Sequence, residues 1–198
     1  MTLPILILAA GQSSRMRGTD KLLEKIDGVA LLRRQIDAVR QVSPDVYITL
    51  PHPDHPRAAL LSGTSARTVI VPDAADGMAV SLRTGVAALP DCPAFMVLLA
   101  DLAALTPADL DTMLTTRDER PDHLIWRGAT DAGKPGHPVI FDAILRPAFA
   151  ELSGDTGGAP ILKAQKDQTC LVPLPDKHAL LDLDTPEDWA AWRRATGR

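Results

Sequence analysis

Residues 5–21 read Ile-Leu-Ile-Leu-Ala-Ala-Gly-Gln-Ser-Ser-Arg-Met-Arg-Gly-Thr-Asp-Lys, and the change of character inside this stretch decides the fold class. Ile5 to Leu8 show no polar alternation, so as a strand they are covered on both faces, as in the parallel sheet of an α/β protein. Ala9, Ala10 and Gly11 then remove side-chain bulk and let the backbone approach a ligand closely. Arg15, Arg17 and Lys21 follow in a polar turn. Backbone N–H groups of such a turn can cradle phosphate oxygens while the cations neutralise them. An ordinary strand-to-helix turn with solvated cations has the same composition, so these residues alone leave both readings open.

Two common phosphate loops are excluded. The Walker pattern requires Gly, four residues and Gly-Lys-Ser/Thr, and the dinucleotide fingerprint requires three closely spaced glycines; only Gly11 and Gly18 occur here. The segment instead resembles the signature of the nucleotidyltransferases with a GT-A-like fold, and within them the MobA-like molybdenum cofactor enzymes. Leu8, Ala9, Ala10, Gly11, Ser13, Arg15, Met16, Gly18 and Lys21 carry that resemblance, and Arg17 departs from it by lengthening the loop by one residue.

Composition narrows the class further. The chain has 198 residues, 45% of them apolar, and a formal net charge of -4, which suits a folded domain and argues against a general nucleic-acid binder. With no apolar run of the roughly 18 residues that span a bilayer and no leader pattern, the expectation is a soluble, cytoplasmic protein without a membrane partner. Cys92 and Cys170 lack neighbours at metal-ligand spacing and read as core thiols.

Further motifs follow in order. Val29 to Val42 has apolar residues at helical spacing, and Val46 to Leu50 reads as a strand. The following Pro-His-Pro-Asp-His-Pro, residues 51–56, reads as an extended loop rather than a metal site, because its prolines alternate. Residues 77–86 predict a helix with Gly77 at its start and Ser81 and Arg83 near its first turns, an arrangement open to anions. A plain packing helix explains the apolar stripe equally well. Phe95 to Ala100 forms a second unbroken apolar strand ending at Asp101, and carboxyl ends of such strands are where open α/β sheets bind ligands. Thr106-Pro107 and Thr185-Pro186 begin helices, the second with Asp188 placed for a capping box.

The resemblance extends over nearly the whole chain. It implies a single three-layer α/β/α domain, residues 1–198, with a mostly parallel, Rossmann-like sheet of the GT-A type. It implies that Leu8, Ala9, Ala10, Gly11, Gly77 and Ser81 contact the nucleotide. By the same resemblance Arg15 and Lys21 stabilise the triphosphate, and Asp101 with Asp184 binds Mg2+, with Asp182 in support. The loops of residues 128–136 and 154–160 are expected on the acceptor side, where His137 either bonds the acceptor or merely orders its own turn. The relatives' arginine in Gly-Asp-x-Gly-Ala-Arg is missing from residues 154–160, leaving Lys134 or Lys163 to substitute.

The activity implied is transfer of a nucleotidyl group from a nucleoside triphosphate with release of pyrophosphate. The Leu-Ala-Ala-Gly form of the loop is similar to that of the cytidylyltransferases, so CTP and a molybdopterin-type acceptor are favoured, with a molybdenum hydroxylase or its chaperone as partner. The alternatives are a guanylyltransferase, a sugar- or alditol-phosphate nucleotidyltransferase, or a non-catalytic nucleotide-binding partner of a molybdenum enzyme.

Overall fold

The computed structural model describes residues 3–198. The chain runs β1 (Ile5–Leu8), β2 (Lys25–Ile26), β3 (Val29–Ala30), α1 (Leu31–Val42), β4 (Val46–Leu50), β5 (Arg67–Ile70), α2 (Met78–Ala87), β6 (Ala94–Leu99) and α3 (Pro107–Glu119). It continues through β7 (Ile125–Ala129), β8 (Pro135–Asp142), α4 (Arg146–Ala150), α5 (Ala159–Ala164), β9 (Thr169–Pro173) and α6 (Pro186–Thr196).

Seven strands form one sheet in the order β5-β4-β1-β6-β8-β7-β9. Only β8 opposes its neighbours; the other pairings are parallel. The mostly parallel expectation therefore holds, and β1 sits centrally, paired on both edges, as its unbroken apolar character requires. Alternate residues serve opposite layers. Ile5 and Ile7 join Leu32, Ile36 and Met113 of α1 and α3 on one face, with Trp189 of α6. Leu6 joins Leu82 and Val86 of α2 and Phe149 of α4 on the other. There Phe95, Phe141 and Phe149 contact one another with ring centroids 5.0–5.7 Å apart, a geometry that adds to their burial.

Two local features differ from the sequence reading. The first crossover helix begins at Leu31, because Val29 and Ala30 pair with Lys25 and Ile26 in a small hairpin. Asp27 and Gly28 at its tip have φ of 52° and 82°, the doubly left-handed turn that an Asp-Gly pair favours. Cys170 is buried, but Cys92 is only half-buried and is not a core thiol. Both helix-start readings hold, and the Thr106–Asp109 pair forms a full capping box like that of Thr185–Asp188.

Gly136, near the start of β8, makes the closest backbone approach of the glycines among the described residues. A Cβ there would lie against the carbonyl oxygen of Ala179, while the next residue, His137, donates its N–H to that same oxygen at 2.9 Å. Gly136→Ala is therefore expected to force two backbones apart and destabilise the fold by about 1–3 kcal/mol. Thermal denaturation checks this: the midpoint should drop by several degrees, and an unchanged midpoint would show that the contact can relax.

Candidate active site

The carboxyl ends of β1 and β6 open into a cavity of about 340 Å³. Leu8, Ala9, Ala10, Gly11, Lys21, Gly77, Ser81 and Asp101 all line it, so the structure brings most of the sequence-predicted residues to one place. Arg15 and Asp184 line a smaller adjoining recess that shares Gly11, Gln12, Ser14 and Lys21 with it.

Lys21 links the two spaces. Its Nζ lies 2.5 Å from Asp101 Oδ2 and 2.5 Å from Asp184 Oδ1, and Arg15 Nη1 approaches Asp184 Oδ2 at 2.7 Å. Burial works against the ammonium, but the two carboxylates outweigh it and raise the pKa of Lys21 above its ordinary value. The two acidic segments are held in register by a bridge between Leu102 and Asp182 and by the Ala103 N–H bonding to Leu181 O at 3.0 Å. Gln35 of α1 pins the Leu102 carbonyl at 2.6 Å. Burial and the neighbouring carboxylates of Asp184 and Asp101 push Asp182 up.

The donor set suits a hard divalent cation. Asp101 Oδ1 is buried without a hydrogen-bond partner, and Asp184 faces it across the Lys21 ammonium. Among the described residues no cluster of three or more His, Cys, Asp or Glu forms, so a cation here would take one or two carboxylates and complete its shell with phosphate or water, as magnesium commonly does.

Sequence reasoning missed two site residues. Arg57, within the Pro-His-Pro-Asp-His-Pro neighbourhood, is 1% exposed and bonds the first loop from behind. Its only sequence signal is an arginine beside a strand-end loop, which is no signal at all without the fold. Asp155 is the other. The 154–160 loop packs on α2, with Gly154 O against Gly77 and Gly157 against Met78, and Asp155 Oδ1 accepts the Met78 N–H at 3.2 Å. Asp155 thus lines the same cavity and already answers the α2 N-terminus that the sequence reading left open for an anion. Arg83 is turned away onto Leu152 O.

Several expected roles fall elsewhere. Residues 130–132 edge a separate groove beside Leu105 and Trp192, and neither Lys134 nor Lys163 lines the cavity. Arg17 pairs with Glu187 of α6 at 2.8 Å instead of joining Lys21. His137 lines neither the cavity nor the recess. Its Nδ1 is sealed from solvent without a partner, and burial, aided by the Arg127 guanidinium, lowers its pKa to about 4.

That shift has a consequence for stability. Below pH 6.5 an unfolded His137 takes up a proton that the native one refuses until about pH 4, so the unfolded state gains and stability falls as pH drops through this window. Urea midpoints measured between pH 6.5 and 4 should fall less steeply in His137→Asn than in the unsubstituted protein; parallel curves would refute the assignment.

Residues 5–169 match the model of the MobA-like NTP transferase domain. Over 203 aligned residues, 96% of this chain and 98% of the relative, the chain is 32% identical to a probable molybdenum cofactor guanylyltransferase of Synechococcus elongatus. It is 31% identical over 120 residues to the bifunctional protein GlmU of Marinobacter nauticus, a match covering 60% of this chain but only 26% of that protein's length. The crystal structure of Rv0371c from Mycobacterium tuberculosis H37Rv superposes with a TM-score of 0.83 at 25% identity, over 98% of both chains. The same mycobacterial protein in complex with manganese superposes with a TM-score of 0.77 at 24% identity, over 99% of this chain and 100% of that one. With the family model matched over residues 5–169 and a relative 32% identical over nearly its full length, this chain belongs to the MobA-like NTP transferase family.

Proposed function

We propose that the protein transfers a cytidylyl group from CTP to the phosphate of a molybdopterin-type acceptor and releases pyrophosphate. The observation that carries this reading is the Lys21 ammonium clamped between Asp101 and Asp184 at the mouth of the glycine-loop cavity. The nucleoside would lie toward Ala75, Gly77, Met78 and Ser81, and the triphosphate toward Gly11 to Ser14 and Lys21.

Attacking phosphate and α-phosphorus are both in anionic groups, so repulsion between them must be offset and the two held in line. Here Lys21 and Arg15 supply that positive charge, and both are paired with carboxylates. A triphosphate in the cavity would compete with Asp101 and Asp184 for the Lys21 ammonium, an exchange of opposite-charge partners, and those two carboxylates are the residues that would hold a divalent cation. The divalent cation, when bound, supplies further charge neutralisation at phosphate oxygens; the hard oxygen donors and the manganese complex of the mycobacterial relative support that assignment. No side-chain base is needed, because the acceptor phosphate is already ionised.

GTP is the second reading for the donor. The relative matched over its full length is named a guanylyltransferase. Ala10 is only 2% exposed, so its methyl offers little surface with which to exclude a purine. CTP rests on the Leu-Ala-Ala-Gly form of the loop.

Pyrophosphate release should be measured with each nucleoside triphosphate and magnesium, with and without molybdopterin carrying molybdenum. Release with CTP only in the presence of the acceptor is the expected result; release with GTP would move the donor to the second reading, and release with neither would reject the acceptor. Asp101→Asn should lower kcat by on the order of a hundredfold or more with an unchanged far-UV spectrum. Lys21→Ala should also lose turnover, yet bind Mn2+ more tightly than the unsubstituted protein in the absence of nucleotide, because the competing ammonium is gone. Equal or weaker Mn2+ binding in a titration would contradict the proposed exchange.

A further inference from the structure

Arg57 is a fully buried arginine whose donors are all consumed by the first loop. It stands in the short 3-10 helix Pro56–Leu61 that follows β4, and its side chain is 2% exposed. Nη1 donates to Ala9 O at 2.6 Å and to Gly11 O at 2.7 Å. Nη2 donates to Ser13 Oγ at 3.1 Å and Asp20 Oδ1 at 2.8 Å, and Nε donates to Asp20 Oδ2 at 2.7 Å. A guanidinium has five N–H donors, so none is left for a ligand, and Arg57 does not line the cavity.

What this clamp does follows from peptide planarity. In a trans peptide the C=O of one residue and the N–H of the next point in opposite directions. Holding the carbonyls of Ala9 and Gly11 on the buried arginine therefore turns the N–H groups of Ala10 and Gln12 the other way, and both residues line the cavity. The Ala9 N–H is itself taken by Thr49 Oγ1 at 2.9 Å, which fixes the peptide before the pair. Rotation of either clamped peptide would present a carbonyl oxygen to the phosphates in place of a donor.

The same side chain reaches the lysine. Burial works against the Asp20 carboxylate, but the Arg57 guanidinium holds its pKa below the ordinary value, so Asp20 stays charged and bonded. Asp20 Oδ1 in turn accepts the Leu22 N–H at 3.0 Å, and Leu22 O accepts the Leu32 N–H at the start of α1 at 3.1 Å. Lys21 lies between these two fixed neighbours.

We propose that Arg57 is a positioning residue that sets the donor-outward conformation of the nucleotide loop and fixes the backbone on both sides of Lys21. It acts on phosphate through the loop and touches no substrate. The proposal rests on the reading that this loop receives the triphosphate.

The test compares Arg57→Lys and Arg57→Ala with the unsubstituted protein, by calorimetric titration with CTP, GTP and inorganic tripolyphosphate and by thermal midpoint. Lysine keeps the charge beside Asp20 but cannot fork onto two carbonyls and a carboxylate together. It should recover most of the midpoint lost in the alanine variant while binding tripolyphosphate and the preferred nucleotide about tenfold or more weakly than the unsubstituted protein, the loss expected if about 1.4 kcal/mol of donor contact is misdirected. Affinities that follow the midpoint across the three proteins, or a lysine variant that binds as tightly as the unsubstituted one, would overturn the proposal. Should Arg57→Ala not fold, Arg57→Lys and Asp20→Asn decide by the same comparison. Failure of the unsubstituted protein to bind any triphosphate would instead overturn the reading of the cleft, and this proposal with it.

Discussion

Two carboxylates brought from distant parts of the chain share one ammonium, and that ion pairing organises this molecule. Asp101 and Asp184 meet on the Lys21 ammonium, each at 2.5 Å. At such distances in a partly desolvated cleft, charge terms are far larger than in water. The cation between them is a lysine side chain, which also lines the glycine-loop cavity and so joins the two carboxylates to it.

The sheet is what brings these three groups together. β1 and β6 lie side by side and parallel, so the loop after Leu8 and the carboxylate after Ala100 emerge at the same edge. Asp184 arrives from the far end of the chain through the Leu102–Asp182 bridge, and the capping box of α6 fixes the turn immediately after it. The helices beyond that edge serve mainly as rigid supports: Gln35 of α1 holds the backbone beside Asp101, and Leu22 and Glu24 accept the free N–H groups that begin α1. The Ala9–Gly11 turn tolerates little rearrangement, because the Ala9 N–H and the Ala9 and Gly11 carbonyls are held from outside the cleft.

Buried polar groups here fall into two kinds. Arg57 is fully satisfied, with its charge paired and its five donors used, which is the condition under which burying a guanidinium is tolerable. Asp101 Oδ1 and His137 Nδ1 are buried without partners. The first lies in the cavity wall and fits an incoming cation. The second lies in β8 away from the cavity and is tolerated because the ring stays neutral.

The sequence by itself determined the layer architecture and most of the residues that gather at the cavity. Unbroken apolar runs at Ile5–Leu8 and Phe95–Ala100 read as strands covered on both faces, and small residues followed by cations fit an anion site as well as they fit an ordinary turn. Those are local properties of adjacent residues. Only the tertiary structure decided that Arg15 and Lys21 rest on Asp184, that Arg17 turns to Glu187, that the 154–160 loop shares the nucleotide cavity, and that His137 lies outside it. It alone showed Arg57 as the support of the loop, since Arg57 and Ala9 are 48 residues apart. A buried hydrogen-bond network is set by which backbone groups the packed layers leave unpaired, and no periodicity or local spacing carries that information.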